Sequence, residues 1–308
     1  MCSMSEVVDK NWGRSVRLAN TSIELLVPLS FGPRIIHASC LGEKNLLGEF
    51  PEQYQKMDPS RWQSFGGHRL WHGPEDWTRT YEPDGAPIQV VELGDTTRFV
   101  QLPESQTQMQ KELDVYLPPE EPQVQVTHRL YNRNVWDVTL CAWAITVMAP
   151  GGKAILPLPP RGLHEDNLTS QTTLTLWAYT DLSDPRYTWG KQFILLQQDP
   201  AATTPQKIGL NRSGGWMAYV NQGQAFIKTS AFVENATYPD QGSSVELYTD
   251  PNILEMETMG PMVTIPAGGM TELQETWYLA KQVPDPVDEQ AVLHKVLPAC
   301  GHLPFLPG

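Results

Sequence analysis

The sequence predicts an all-β protein: one large domain of antiparallel strands, closed by a short C-terminal helix. Proline (27) and glycine (23) are spread along all 308 residues and are not gathered in linkers. Between these breakers the apolar residues alternate over short stretches, the period of strands with one buried face. No helix-rich half or internal repeat interrupts the pattern, and the chain is long enough to bury a sizeable core.

The polar residues 1–14 read as a segment ahead of the sheet domain, which runs over 15–282. Stretches 16–20 and 23–28 form an opening hairpin around Asn20-Thr21-Ser22, and 31–38 is the next strand. A polar segment over 49–64 leads into a His- and Trp-rich loop at 66–77. Strands then follow over 87–93, 97–102, 108–117 and 123–130, the last with Val124, Val126, His128 and Leu130 on one face. Residues 138–148 make the most apolar strand, ended by Pro150-Gly151-Gly152. Further strands cover 174–177, 193–196, 216–220, 225–232, 244–248, 253–257 and 273–279. In 283–308 a helix is expected over 285–297, with Asp285 as N-cap, Pro286 at the first helical position and acids in the first turn.

A net charge of -13 argues against nucleic acid and anionic membranes as partners. It tolerates a neutral small molecule without indicating one. Cys2, Cys40, Cys141 and Cys300 are far apart, with neither a Cys-x-x-Cys pair nor zinc-site spacing, so no metal or disulfide framework is expected. Cys141, within an apolar strand, reads as inert packing. Residues 1–11 carry no apolar core of a secretory signal, and no apolar run approaches the roughly 20 residues that span a bilayer. The expectation is a cytoplasmic protein, monomer or homodimer.

The densest chemistry lies in Gly66-Gly67-His68-Arg69-Leu70-Trp71-His72-Gly73-Pro74-Glu75-Asp76-Trp77. An aromatic wall beside proton donors, acceptors and a cation suits a polyol site. The alternative is a loop packed on the core, with the tryptophans as plugs. Glycine and proline at four of these positions are expected to hinder a regular strand.

Several stretches, in order, resemble the galactose mutarotase-like proteins related to aldose 1-epimerases. Phe31-Gly32-Pro33-Arg34-Ile35 followed by Asn45-Leu46-Leu47 is similar to their opening, and Gly66 to Trp71 to their Gly-Gly loop. Pro150-Gly151-Gly152, Tyr238-Pro239-Asp240, Leu254-Glu255-Met256-Glu257-Thr258 and Glu275-Thr276-Trp277-Tyr278-Leu279 continue the series. The resemblance spans residues 15 to 280 and implies a single antiparallel β-supersandwich. It also implies a sugar or sugar derivative as ligand, no cofactor, and interconversion of sugar anomers by acid–base catalysis. Fold transfers across such a resemblance better than activity.

The resemblance makes Glu257 the catalytic base. Glu255, two residues earlier, shares its strand face, and the pair could raise one pKa. The competing reading places both on the solvent face. For the acid there is a departure: the mid-chain region of the epimerases holds a histidine, whereas here 132–146 has none and Trp143 stands there. His68 and His72 are the remaining candidates, and His128 reads as a core histidine. Arg69, Glu75 and Lys228 suit polar contacts to a sugar, with a solvated strand lysine as the other reading of Lys228. Trp71, Trp77, Trp143 and Trp216 suit stacking. A non-catalytic sugar-binding protein that has lost the acid–base pair is the alternative function.

Overall fold

Alternation in the sequence becomes sheet faces along most of the chain. The computed structural model describes residues 3–211 and 215–301. Along the strand Gln123–Asn132, Val124, Val126, His128 and Leu130 are buried while Gln125 is exposed, as the alternation requires. Three antiparallel sheets of four, ten and eight strands result. The small sheet begins with Ser3–Asp9, which pairs along its length with Gly13–Ala19, so the sheet continues across the boundary expected at residue 14.

The two large sheets face each other across the main core, the antiparallel β-supersandwich. Leu113, Val126 and Trp277 enter that core from the ten-stranded sheet, and Leu70, Ala144 and Met256 from the eight-stranded one. Burial of each Leu, Val or Met among them contributes about 1.5–3 kcal/mol. A second apolar cluster lies elsewhere on the ten-stranded sheet, where Ile155, Leu195, Trp216 and Ile227 pack under Val292, Val296 and Leu297 of the C-terminal helical segment.

The order of the eight-stranded sheet positions the candidate site. It runs Leu174–Leu176, Gln206–Leu210, Val245–Thr249, Leu254–Met259, Val138–Met148, His68–Gly73, Arg34–Ile35, with Val263–Ile265 pairing the start of Val138–Met148. Five of these strands give the site its floor.

Three expectations need correction. The stretch at 66–77 is not all loop, because His68–Gly73 is a fully buried strand between Val138–Met148 and Arg34–Ile35. Its glycines serve the entry: Gly66 and Gly67 have φ of +85° and +71°, and a Cβ on Gly67 would lie 2.4 Å from the carbonyl oxygen of Ile35. The strand expected at 31–38 is broken into Arg34–Ile35, which joins the eight-stranded sheet, and His37–Cys40, which joins the small one. The helix starts later than predicted. Asp288, not Asp285, is the N-cap and accepts from the Ala291 N–H at 2.8 Å; Glu289–Ala291 is followed by a wider π turn over Val292–Val296. Glu289 binds the N–H groups of Gln192 and Phe193 at 2.6 and 3.2 Å, which ties the helix start to the sheet.

Candidate functional site

Strand His68–Gly73 sends alternate side chains to opposite faces of its sheet. Arg69 and Trp71 line a cleft of about 710 Å³ on the outer face. His68 points the other way and meets His128 of the ten-stranded sheet, Nε2 to Nε2, at 2.7 Å. His72 also faces away from the cleft, with its Nε2 3.7 Å from Glu104, itself bound to Lys111.

Register assembles the cleft floor. In one row across the strands stand Glu246, Glu257, Ile145 and Arg69; in the next stand Lys207, Tyr248, Glu255 and Val147. On the other side of the first row Trp143 pairs with Trp71, their rings 5.4 Å apart. Glu255 and Glu257 therefore share a face, with Cα atoms about 6.8 Å apart on an extended strand. Glu75, Asp76, Trp77 and Tyr81 come from the segment after His68–Gly73, and Trp62, Trp177 and Tyr179 add further aromatic wall. Trp77 is 83% exposed and stacks on Tyr81 at 4.7 Å.

Each cation in the cleft sits among aromatic rings and holds a carboxylate. The Arg69 guanidinium lies 4.4 Å from the Trp71 ring centroid and donates through Nη2 to Glu255 at 3.1 Å. Its Nε and Nη1 are buried without a hydrogen-bond partner. Lys207 lies between Trp143 and Trp177, 5.0 and 4.8 Å from their centroids, and reaches Glu246 at 2.6 Å and Glu257 at 3.1 Å. The Trp143 indole donates to the same Glu257 oxygen, Oε2, at 2.9 Å.

Three carboxyl groups, Asp240, Glu246 and Glu257, gather around that one ammonium. Burial works to lower the Lys207 pKa, but Glu257 and Glu246 outweigh it and hold the ammonium well above its ordinary value. One positive charge cannot balance three carboxylates, two of them, Glu246 and Glu257, buried. Burial first, with Glu257 and Asp240 adding to it, pushes Glu246 well above the usual carboxylate range. Glu255 is likewise raised, mainly by burial, with Glu257 adding and Arg69 opposing.

No known family profile matches the sequence, and no curated protein matches it. Solved structures do match. A galactose mutarotase-like protein from Clostridium acetobutylicum is 8% identical with a TM-score of 0.56, covering 91% of this chain and 99% of its own. A galactose mutarotase-like protein from Lactobacillus casei is 8% identical with a TM-score of 0.53, covering 86% and 99%. A TPR-domain-containing protein from Parabacteroides distasonis is 12% identical with a TM-score of 0.55; the match covers 89% of this chain and 48% of that longer one. The chain has the galactose mutarotase-like fold. At these identities the likeness extends to the fold alone.

Within this mutarotase-like fold, seven of the residues singled out in the sequence line one cleft: Arg69, Trp71, Glu75, Trp77, Trp143, Glu255 and Glu257. Four others lie elsewhere. His68 and His72 are on the wrong face of their strand. Trp216 packs in the second core, its ring 6.0 Å from that of Phe193. Lys228 is buried between the sheets, where it donates to Met256 O at 2.9 Å and Glu275 at 3.1 Å. It is not the solvated strand lysine of the alternative reading. Sequence reasoning missed Lys207, Glu246 and Tyr248. The last two were legible, because Val245 and Leu247 alternate with them as the core face of Val245–Thr249.

His68, His128 and Glu275 are the one group among the described residues with donors close enough to hold a metal ion. Their bonds instead form a closed proton arrangement. His128 donates through Nδ1 to Leu273 O at 2.9 Å, so its Nε2 accepts from His68 Nε2–H, and His68 Nδ1 accepts from the Thr146 hydroxyl at 2.9 Å. Glu275 accepts from Lys228, Thr258 and Trp277. Two imidazole nitrogens 2.7 Å apart are closer than the about 3.3 Å set by tetrahedral zinc with Zn–N of about 2.0–2.1 Å. With an ammonium already on the carboxylate, the chemistry is that of a buried hydrogen-bond network. Among the described residues no helix is long and apolar enough to cross a membrane.

Proposed function

We propose that the chain binds a sugar in this cleft and interconverts its anomers by acid–base catalysis. The observation that carries the proposal is the Glu255/Glu257 pair, side by side on the floor of an aromatic-walled cleft. Glu257 takes the proton of the anomeric hydroxyl while Glu255, held above the ordinary carboxylate range by burial, gives its proton to the ring oxygen. The bond between anomeric carbon and ring oxygen breaks, leaving the open-chain aldehyde and its hydroxyl. After rotation about the adjacent carbon–carbon bond, that hydroxyl attacks the other face of the carbonyl. Its proton returns to Glu255, and Glu257 returns its own to the new anomeric oxygen. Arg69, with Nε and Nη1 unpartnered, offers donors to sugar hydroxyls, and Trp71, Trp77 and Trp143 offer stacking faces.

One observation favours a second reading, a sugar-binding protein without catalysis: no histidine lines the cleft among the described residues, and Trp143 holds Glu257. Polarimetry on freshly dissolved α-glucose and α-galactose, run beside saturation-transfer NMR, separates the two. Acceleration that disappears in Glu257→Gln supports the isomerase. Saturation transfer without acceleration supports the binder, and silence in both assays for a wide sugar panel sinks the sugar reading.

A further inference from the structure

The charges of the cleft do not balance. Two cations, Arg69 and Lys207, line it with six carboxyl groups: Glu75, Asp76, Asp240, Asp250, Glu255 and Glu257. Arg69 is engaged by Glu255 and Lys207 by Glu257 with Glu246 beneath, and with Glu255 protonated as the acid the remaining five still outnumber the two cations. Asp76 and Asp250 are engaged by their own turns, accepting from the N–H groups of Thr78 at 2.9 Å and Asn252 at 2.6 Å. Glu75 and Asp240 remain without a cation to themselves. Glu75 is oriented by the Tyr81 hydroxyl, and Tyr81 carries the exposed Trp77 indole on its face.

Opposite in character are the buried donors at Arg69 and Trp62. Arg69 Nε and Nη1 and Trp62 Nε1 have no hydrogen-bond partner, although Arg69 is only 3% exposed. Unmet buried donors call for acceptor oxygens, as hydroxyl groups supply. Unmet carboxylates beside aromatic faces call for a cation, which gains from both charge and ring quadrupole. A phosphorylated or carboxylated sugar meets only the first demand and is repelled by the second.

Building on the sugar reading of the cleft, we infer that its ligand is an amino sugar, with the ammonium at Glu75 and Asp240 and hydroxyl groups at Arg69 and Trp62. The protein's own strain points the same way. Burial, with Glu257 and Glu75 adding to it, holds Asp240 above its ordinary range although Lys207 and a hydrogen bond with Glu246 oppose the rise, and a ligand cation relieves the remaining repulsion. Asp240, provided by Tyr238-Pro239-Asp240, takes a positive φ of 48° and lines the cleft wall.

The test is calorimetric titration of the full chain with glucosamine, galactosamine, their parents glucose and galactose, N-acetylglucosamine, glucose 6-phosphate and tetramethylammonium. At about pH 6.5, below the roughly 7.7–8.0 of an α-amino group, the amine is charged. One amino sugar is expected to bind at least about tenfold tighter than its neutral parent, an advantage of about 1.4 kcal/mol. The advantage should shrink in high salt and vanish above the amine's pKa. Asp240→Asn, or Glu75→Gln if the first does not fold, should remove it. Equal binding of charged and neutral sugars, or tighter binding of glucose 6-phosphate, overturns the inference and leaves the sugar reading standing. Tetramethylammonium binding as tightly as glucosamine, with neutral sugars silent, keeps the cation site and overturns the sugar reading. Absence of binding by every probe overturns both.

Discussion

The indole N–H of Trp143 donates to Glu257 Oε2 at 2.9 Å, and the Lys207 ammonium reaches the same oxygen at 3.1 Å. An indole is a donor only, so Trp143 can orient a carboxylate but cannot carry a proton between substrate and solvent as an imidazole can. The tryptophan that stands where the resemblance implied a histidine thus helps to hold Glu257, the proposed base.

Trp143→Phe keeps an aromatic wall and removes the donor. With Lys207 still in place, Glu257 loses one of two contacts that fix its orientation. The expected result is a fall in kcat of about tenfold to a hundredfold, or about 1.4–2.7 kcal/mol, with KM changed far less. Glu257→Gln, which removes the base itself, should cost about a hundredfold or more. Polarimetric rates on both variants check this. A Trp143→Phe enzyme as fast as the parent would show that the indole does not position Glu257.

Lys207 is the counter-charge of the cleft floor. Lys207→Met leaves Glu257 buried beside Glu246 and Asp240 without a cation, a change of the kind that costs about 3–5 kcal/mol. Thermal unfolding should show a drop of about 10 °C in a chain of this size. Adding Glu257→Gln to Lys207→Met removes the stranded charge and should return part of the loss. If the double variant is no more stable than Lys207→Met, the ammonium does not act by compensating that carboxylate.

Of the fold, much was legible because a strand with one buried face writes its period into the sequence, as Gln123–Asn132 does, and Val138–Met148 was legible as a continuous apolar run, buried on both faces. His68–Gly73 escaped for the converse reason. It is buried on both faces, so Trp71 and Arg69 toward the cleft and Leu70 and His68 toward the core leave no alternation to read. The same loss of alternation concealed which residues belong to the site. Two histidines at i and i+4 on a strand share a face, and the question was only which face; Leu70 between them was the available signal. Lys207 was hidden because Gln206–Leu210 is buried throughout, and no local pattern shows that it will stand beside Glu246 and Glu257. Trp216 and Lys228 drew attention by residue type, whereas their pairing in Trp216–Asn221 and Gln224–Ser230 puts them in the ten-stranded sheet, away from the cleft.

His72 gives a direct test of facing. Because it points away from the cleft toward Glu104, His72→Gln should leave the anomerisation rate within about twofold, a change below about 0.4 kcal/mol in the barrier. The substitution weakens the Glu104–Lys111 surroundings, so a modest fall in melting temperature is expected instead. A rate loss of a hundredfold with stability intact would mean that His72 reaches substrate after all.

The His68–His128 pair makes stability depend on pH in a definite direction. Burial holds both imidazoles below the ordinary histidine range, His68 well below it, so the folded protein keeps them neutral. Above about pH 6.5 the unfolded chain is neutral at these positions too, and neither state gains. As the pH falls through about 6.5, the unfolded chain binds protons that the folded network refuses. Stability then drops by up to about 1.4 kcal/mol per pH unit for each histidine, until the folded pKa values are reached. Glu275 adds a later loss. The Lys228 ammonium and the Thr258 hydroxyl overcome its burial and depress its carboxyl to about 2, so its contribution is complete above the unfolded value of about 4.3 and is lost as the pH falls from there through about 2. Glu246, Glu255 and Asp240 act the other way, because burial raises their folded carboxyls and they keep protons that the unfolded chain releases. The contribution of the histidine pair is therefore read as the difference in urea midpoints between the parent and a variant from about pH 7.5 to 5. In His128→Gln the amide oxygen can accept from His68 and the amide nitrogen can donate to Leu273 O, which keeps both hydrogen bonds without a titrating ring. Relative to the parent, that variant should lose the part His128 contributes, up to about 1.4 kcal/mol per pH unit, with His68 and the likewise lowered His37 left to titrate. An unchanged slope would place the proton uptake outside the inter-sheet network, because no other change has been made to the groups that titrate there.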